Sequence, residues 1–273
     1  MFMATNSGLE KKTFRNINAS VPVLGMGTWQ LGGDGDDPIP ALKRGLELGM
    51  TLIDTAESYG SGQSERLIKD AIAGFDRSKL FIVSKVRESR PTREDVLKAA
   101  QASVERLGTM MDLYLLHWPP ADRGLKERMK GLEDAAKLGL TKHIGVSNFT
   151  VELIEEARSY LNSIDIAAVQ NRMSITYHAD LETVIPYAQR EGMMYMAYSP
   201  LERGRLSESP TESGIESIGK HYGKTAVQVA LNWLICIDPV VPIPKAGKIK
   251  HVEEDAGAIG WRLSREDWTN LKS

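Results

Sequence analysis

LFIVSKVRESRPTREDVLKAAQASVERLGTMMDLYLLHWPP, residues 80–120, decides the architecture. It opens on an apolar run, LFIVSK from Leu80, crosses an amphipathic segment and closes on a second apolar run, DLYLLH from Asp112. The middle carries the start and stop signals of a helix. Pro91 opens it, Glu94 and Asp95 occupy the first turn, Arg106 the last, and Gly108 follows. Val96, Ala100, Val104 and Leu107 recur at spacings of four, four and three, which is one buried stripe. Runs that are apolar on successive residues fit parallel strands covered on both faces.

Outward from this unit the alternation fills the chain. Further strands are expected at VLGMGT from Val23, TLID from Thr51, KHIGVSN from Lys142, AAVQN from Ala167, MYMAYS from Met194 and VVPIP from Val240. With the first two they make eight, most of them about 25 to 32 residues apart; the last gap is wider and holds an extra helical segment. Leu125, Met129, Leu132 and Ala136 repeat the helical stripe before Gly139. Such alternation admits a closed barrel or an open doubly wound sheet. An open dinucleotide-binding sheet should show GxGxxG between its first strand and a helix, whereas GMGTWQLGGDGDD from Gly25 has glycines without a helix start. Eight repeats in about 250 residues match the barrel. The expected fold is therefore an α/β (β/α)8 TIM barrel, one domain over residues 1–273. The FRN–INA segment is expected to form a short N-terminal hairpin capping the barrel bottom.

The charge balance excludes several classes. Lys and Arg total 34 against 36 Asp and Glu, a net charge of −2, with 42% hydrophobic residues. Nothing global draws such a chain to nucleic acid or anionic membrane. A single cysteine, Cys236, cannot form an internal disulfide or a CxxC metal pair, and within ALNWLICI it reads as a small buried hydrophobe. No metal is expected. The N-terminus MFMATNSGLEKK lacks the apolar core of a signal peptide, no apolar run approaches a membrane span, and the expected address is the cytoplasm. A monomer or weak homo-oligomer is expected.

In this barrel, chemistry belongs at the C-terminal ends of the strands. Asp54 follows TLI, Lys85 follows FIVS, His117 follows LYLL, and Ser147 and Asn148 follow HIGV. Gln170 follows IAAV, Tyr198 and Ser199 follow MYMA, and Lys245 follows PIP. Singly each has an ordinary reading. Asp54 suits a helix N-cap, Lys85 a stem reaching for solvent, His117 a structural histidine, and Tyr59 an aromatic packed beside the glycines of ESYGSG. Their convergence at one mouth points to a site.

The stretches LGMGTW, IDTAESYG, FIVSK, LYLLHWP, IGVSNF, VQN, YSPL and IPK, in this order, resemble the aldo-keto reductases over essentially the whole chain. The resemblance implies reduction of aldehydes or ketones, with Asp54, Tyr59, Lys85 and His117 as the catalytic tetrad. Those residue types suit the task. As hydride reaches the carbonyl carbon, charge builds on oxygen and a proton donor must already be aimed there. A tyrosine, with an ordinary pKa of about 10, holds a proton at neutral pH; a neighbouring lysine cation eases its release, and Asp54 keeps that lysine charged. His117 is expected to fix the carbonyl oxygen.

The resemblance also implies a cofactor, NADPH, with NADH possible. Gly27, Thr28 and Trp29 match the loop that runs beside it, with Asp54 next to them. Ser147, Asn148 and Gln170 match the contacts to the nicotinamide carboxamide, Tyr198 the ring stacked on its face, and Ser199 and Leu201 the pyrophosphate contacts. The adenosine end departs from the family pattern. After IPK the family often has Ser and then an Arg for the ribose 2′-phosphate; here PKAGKIKHVEED places Ala246 and His251. Lys245, Lys248 and Lys250 nevertheless fall within seven residues beside His251, at the start of a helical segment that favours an anion. A solvated basic turn is the plainer reading. Glu254 and Asp255 match adenine contacts.

Trp29, Tyr59, His117 and Trp118 are expected to line the substrate mouth, taking a small-molecule carbonyl compound. The short loop WPPADRG and the stop of the chain at a final helix, LSREDWTNLKS, suggest an open pocket of relaxed specificity. Two other readings remain: a non-catalytic NADP(H)-binding redox-sensing subunit, and a barrel hydrolase using Asp54 and Glu57 as paired carboxylates. The first leaves the tetrad without a purpose, and the second leaves Lys85, Asn148, Gln170 and Tyr198 unexplained.

Overall fold

A computed structural model describes residues 10–32, 37–204 and 212–272. The alternation read from the sequence becomes eight parallel strands. They are β3 (Met26–Gly27), β4 (Leu52–Asp54), β5 (Phe81–Val86), β6 (Met111–Leu116), β7 (Thr141–Ser147), β8 (Ile166–Arg172), β9 (Met194–Tyr198) and β10 (Val240–Pro242), each beside the next in the order of the chain. Closure lies between the first strand and the last. Gly25 N donates to Pro242 O (3.0 Å), Gly27 N donates to Pro244 O (2.7 Å), and Gly27 bridges in parallel to Lys245. A Cβ at Gly27 would lie 2.8 Å from the Ile243 carbonyl oxygen, so the seam closes this tightly because the residue has no side chain. The chain is a (β/α)8 barrel. Among the described residues no helix is long and apolar enough to cross a membrane.

The core has two parts, as the barrel requires. Inside, Leu52, Phe81, Val83, Leu113, Leu115 and Met196 fill the lumen from alternate positions of their strands. Outside, the opposite faces meet the helices, including α1 (Ile39–Glu47), α2 (Gln63–Ile72), α3 (Arg93–Leu107), α4 (Leu125–Lys137), α5 (Val151–Ser159) and α6 (Val184–Glu191). α7 (Glu212–Tyr222) and α8 (Ala226–Ile235) both lie in the wide gap before β10, and α9 (Ile249–Ala256) and α10 (Arg265–Asn270) follow it.

Two local readings shift. α3 starts after Pro91, because Thr92 caps it: its hydroxyl accepts from Asp95 N (3.1 Å), and the Asp95 carboxylate reaches back to Thr92 N (3.3 Å). Cys236 caps α8 instead of lying in its core; it is half-buried, with Sγ 3.4 Å from Asn232 Oδ1.

The expected hairpin is β1 (Lys11–Phe14) paired antiparallel with β2 (Ala19–Pro22). Phe14, Ile17 and Val21 plug the lumen from below. Lys12 Nζ donates to the carbonyls of Ile235, Ile237 and Val240 at 2.6–2.8 Å, tying the hairpin to the end of α8 and the start of β10. With the bottom sealed, the open end is the one where the strands finish.

Candidate active site

β4 ends on Asp54, and β5 carries Lys85 one residue before its end, so both side chains reach the C-terminal rim from inside the barrel. Lys85 has no solvent exposure and Asp54 3%. The three N–H groups of the ammonium have three acceptors: Asp54 Oδ2 at 2.8 Å, the Thr55 carbonyl at 2.8 Å and the Tyr59 hydroxyl at 3.2 Å. Asp54 Oδ1 accepts from Gln170 Nε2 at 2.7 Å. Burial alone would drive the Lys85 proton off. The Asp54 carboxylate and the Tyr59 oxygen more than offset it, and Lys85 is held above its ordinary range.

Tyr59 stands at the head of a tight turn between β4 and α2, brought there by left-handed backbone at Gly60, Ser61 and Gly62. Burial pushes its phenol up, Lys85 pulls it down, and Asp54 adds to the rise; the balance lies above the ordinary value. The resting group is thus a phenol that holds its proton. His117 meets Tyr59 edge-on, ring centroids 5.7 Å apart, and its Nδ1 lies 3.4 Å from Ser58 Oγ. Burial, with the positive charges of Lys85 and Arg87 behind it, pulls the imidazole down to about 3. His117 is neutral throughout the physiological range.

A polar strip runs from Asp54 and His117 across β7, β8 and β9. Ser147 Oγ donates to the Gln170 carbonyl (2.8 Å), and Asn148 Nδ2 donates to Ser147 Oγ (3.1 Å) and the His117 carbonyl (3.0 Å). Tyr198 OH donates to Asn148 Oδ1 (2.7 Å). Asn148 and Ser199 adopt left-handed backbone, φ 65° and 52°, just past their strands. Asparagine tolerates that region better than most residues; serine there is an uncommon choice.

The other expected residues divide. Thr28 is buried, its hydroxyl donating to the Asp54 carbonyl (2.9 Å), so it fastens the β3 loop to β4. Trp29 and Trp118 stand at the mouth, 39% and 47% exposed, and Ser199 and Leu201 are half-buried. Lys245, Lys248 and His251 gather with Gln30, Leu31 and Pro38 around a cavity of about 230 Å³ at the start of α9. Glu254 and Asp255 do not line it. Asp255 turns inward to 3% exposure, and burial, then the Glu254 charge, pushes its carboxyl up to about 8.

Comparison with known proteins gives the family. Residues 23–273 match the model of the aldo/keto reductase family. The chain belongs to that family. It is 34% identical to the methylglyoxal reductase YeaE of Escherichia coli over 264 residues, 93% of this chain and 91% of the relative. Among solved structures, a thermostable aldo-keto reductase crystallised with the inhibitor epalrestat superposes with a TM-score of 0.91 at 37% identity, covering 97% of this chain and 99% of that one. An aldo-keto reductase from Klebsiella pneumoniae, crystallised with NADPH, gives 0.87 at 31% identity over 96% and 94%. The protein is thus an oxidoreductase of the aldo-keto reductase type.

Three features of this aldo-keto reductase escaped the sequence reading. The Thr55 carbonyl is the third acceptor of Lys85, and a backbone group leaves no signature in composition. Arg203, in left-handed backbone, sets its guanidinium 4.8 Å from the Trp29 ring centroid, although 174 positions separate the two in sequence. Arg87 stands opposite His117, just past the apolar run that carries Lys85. Its i+2 spacing from Lys85 was the available signal.

Proposed function

We propose that this aldo-keto reductase reduces aldehydes and ketones to alcohols with NADPH, Tyr59 giving the proton to the carbonyl oxygen. The observation that carries the reading is the fully buried Lys85 ammonium shared between Asp54 and the Tyr59 hydroxyl. A buried ammonium is costly to maintain, and this one is spent on a phenol that faces the mouth.

The donor set fits the coenzyme. Lys245, Lys248 and His251 surround a cavity at a helix start, where a phosphate is favoured. Asn148 and Gln170 offer amides for a carboxamide, and the Tyr198 ring lies beside them. The K. pneumoniae relative was crystallised with NADPH. When bound, the nicotinamide supplies the hydride. The protein's own groups do the rest.

Tyr59 holds a proton until charge develops on the substrate oxygen, and Lys85 then stabilises the phenolate left behind. Asp54 keeps Lys85 charged, and Gln170 keeps Asp54 in place. Neutral His117, with Nδ1 toward Ser58, presents Nε2 to hold the carbonyl oxygen for Tyr59. In alcohol oxidation the phenolate takes the proton back. Trp29 and Trp118 at the rim suit small carbonyl compounds, among which the name of the E. coli relative points to methylglyoxal.

The test is NADPH oxidation, followed at 340 nm, with small aldehydes and dicarbonyls. Tyr59→Phe should lower turnover by roughly 10²–10⁴-fold, the scale of a lost general acid. Coenzyme binding, read by fluorescence quenching, should persist. Near-native turnover in Tyr59→Phe would remove the residue from the mechanism.

A further inference from the structure

Arg87 is the first residue past β5. In the parallel ladder between β5 and β6, Lys85 pairs with Leu115 and Val86 with Leu116. His117 N then donates to the Val86 carbonyl (2.9 Å), so one more step sets Arg87 opposite His117. Phe81, Val83 and Lys85 point into the barrel, and alternation gives Arg87 the same side, one layer above the Lys85 ammonium. The proximity is felt in the ring: the Arg87 charge is among those that keep His117 unprotonated.

The acids nearby do not answer this charge. Glu57 accepts the Arg87 backbone N–H (2.9 Å), but its carboxylate is paired with Arg90 at 3.0 Å. Asp54 belongs to Lys85, and Asp122 pairs with Arg128. Among the described residues no carboxylate pairs with the exposed Arg87 side chain. A guanidinium is shaped to take a carboxylate through two parallel hydrogen bonds. Here it stands next to the histidine that faces the reacting oxygen, in a chain whose overall charge is slightly negative.

We propose that Arg87 selects carbonyl substrates that also carry a carboxylate, gripping that group beside His117 while the carbonyl reaches Tyr59. The inference rests on the reductase reading above and adds the class of substrate. Binding energy from the non-reacting carboxylate orients the carbonyl, and neutral analogues forgo it.

The test compares the 2-, 3- and 4-carboxybenzaldehydes with their methyl esters, which keep the aldehyde and the ring and lose the charge. Wild-type protein should show a higher kcat/KM for at least one acid than for its ester. Arg87→Met should lower that acid-to-ester ratio by about ten- to a hundredfold, as expected for one charged hydrogen-bonding partner. Arg87→Lys should restore part of it. Both variants keep the backbone N–H that Glu57 accepts, and far-ultraviolet circular dichroism checks the fold. Equal efficiencies for all three acids and their esters, or a ratio untouched by Arg87→Met, would overturn the inference alone. Turnover of methylglyoxal but of none of these aldehydes, acid or ester, would likewise overturn the inference alone. Turnover of none of them and of no small aldehyde or dicarbonyl would overturn the reductase reading and the inference with it.

Discussion

Lys85→Met keeps the length of the side chain and removes its charge, leaving Asp54 at 3% exposure with no cation. Three acceptors lose their donor at once: Asp54 Oδ2, the Thr55 carbonyl and the Tyr59 hydroxyl. Breaking one side of a buried ion pair costs about 3–5 kcal/mol, because the surviving charge stays buried without compensation. A domain is held by about 5–15 kcal/mol in all, so the variant should fold but unfold at clearly lower urea. Burial is the largest influence on Asp54 and raises its pKa; with Lys85 gone, only the Gln170 hydrogen bond opposes it. A carboxyl whose folded pKa is raised stabilises the fold below its ordinary pKa and loses that contribution as pH rises. The deficit of Lys85→Met should therefore be smallest near pH 4 and grow as pH rises from there. Asp54→Asn combined with Lys85→Met should recover much of the stability, since no charge remains to be buried, while reductase activity stays lost. The assay is urea unfolding by tryptophan fluorescence at several pH values, with NADPH oxidation alongside. A cost under about 1 kcal/mol at neutral pH, or a double variant no more stable than the single one, would refute the buried charged pair.

The reduction rate should show no inflection near pH 6.5, because burial and the charges of Lys85 and Arg87 pull His117 down to about 3, and should fall only above the ordinary tyrosine range as Tyr59 ionises. A pH–rate profile with a step near neutrality that His117→Asn abolishes would contradict this. Asp255→Asn should raise Tm. The buried carboxyl, pushed up to about 8, loses its stabilising protonated form as pH rises from about 4 to 8, so the gain should be larger at pH 9 than at pH 5. A gain of roughly 2–4 °C per kcal/mol is readable by calorimetry. Lys245→Met with His251→Gln should raise KM for NADPH about tenfold or more and leave NADH nearly unaffected, since the two coenzymes differ by the 2′-phosphate. Equal losses for both would move that phosphate elsewhere.

The sequence by itself determined the architecture and the cast of residues. Periodicity is a local property: Val96, Ala100, Val104 and Leu107 mark a helix face wherever the helix packs, and a run such as FIVSKV is buried on both sides whatever its neighbours. Polar residues that end such runs must share one rim once the barrel closes, which is why Asp54, Lys85, His117, Asn148 and Gln170 were legible together. Only the tertiary structure decided what each group faces. The Gln170 amide is tied to Asp54 across 116 positions, Thr28 fastens a loop, Asp255 turns inward, and Arg87 comes to stand opposite His117. The state of Tyr59 belongs here too. Its proximity to a lysine follows from the motif, yet the burial that outweighs that lysine is set by how many segments close around it. Burial and pairing are sums over neighbours distant in the chain, and strand register and barrel closure bring those neighbours into place.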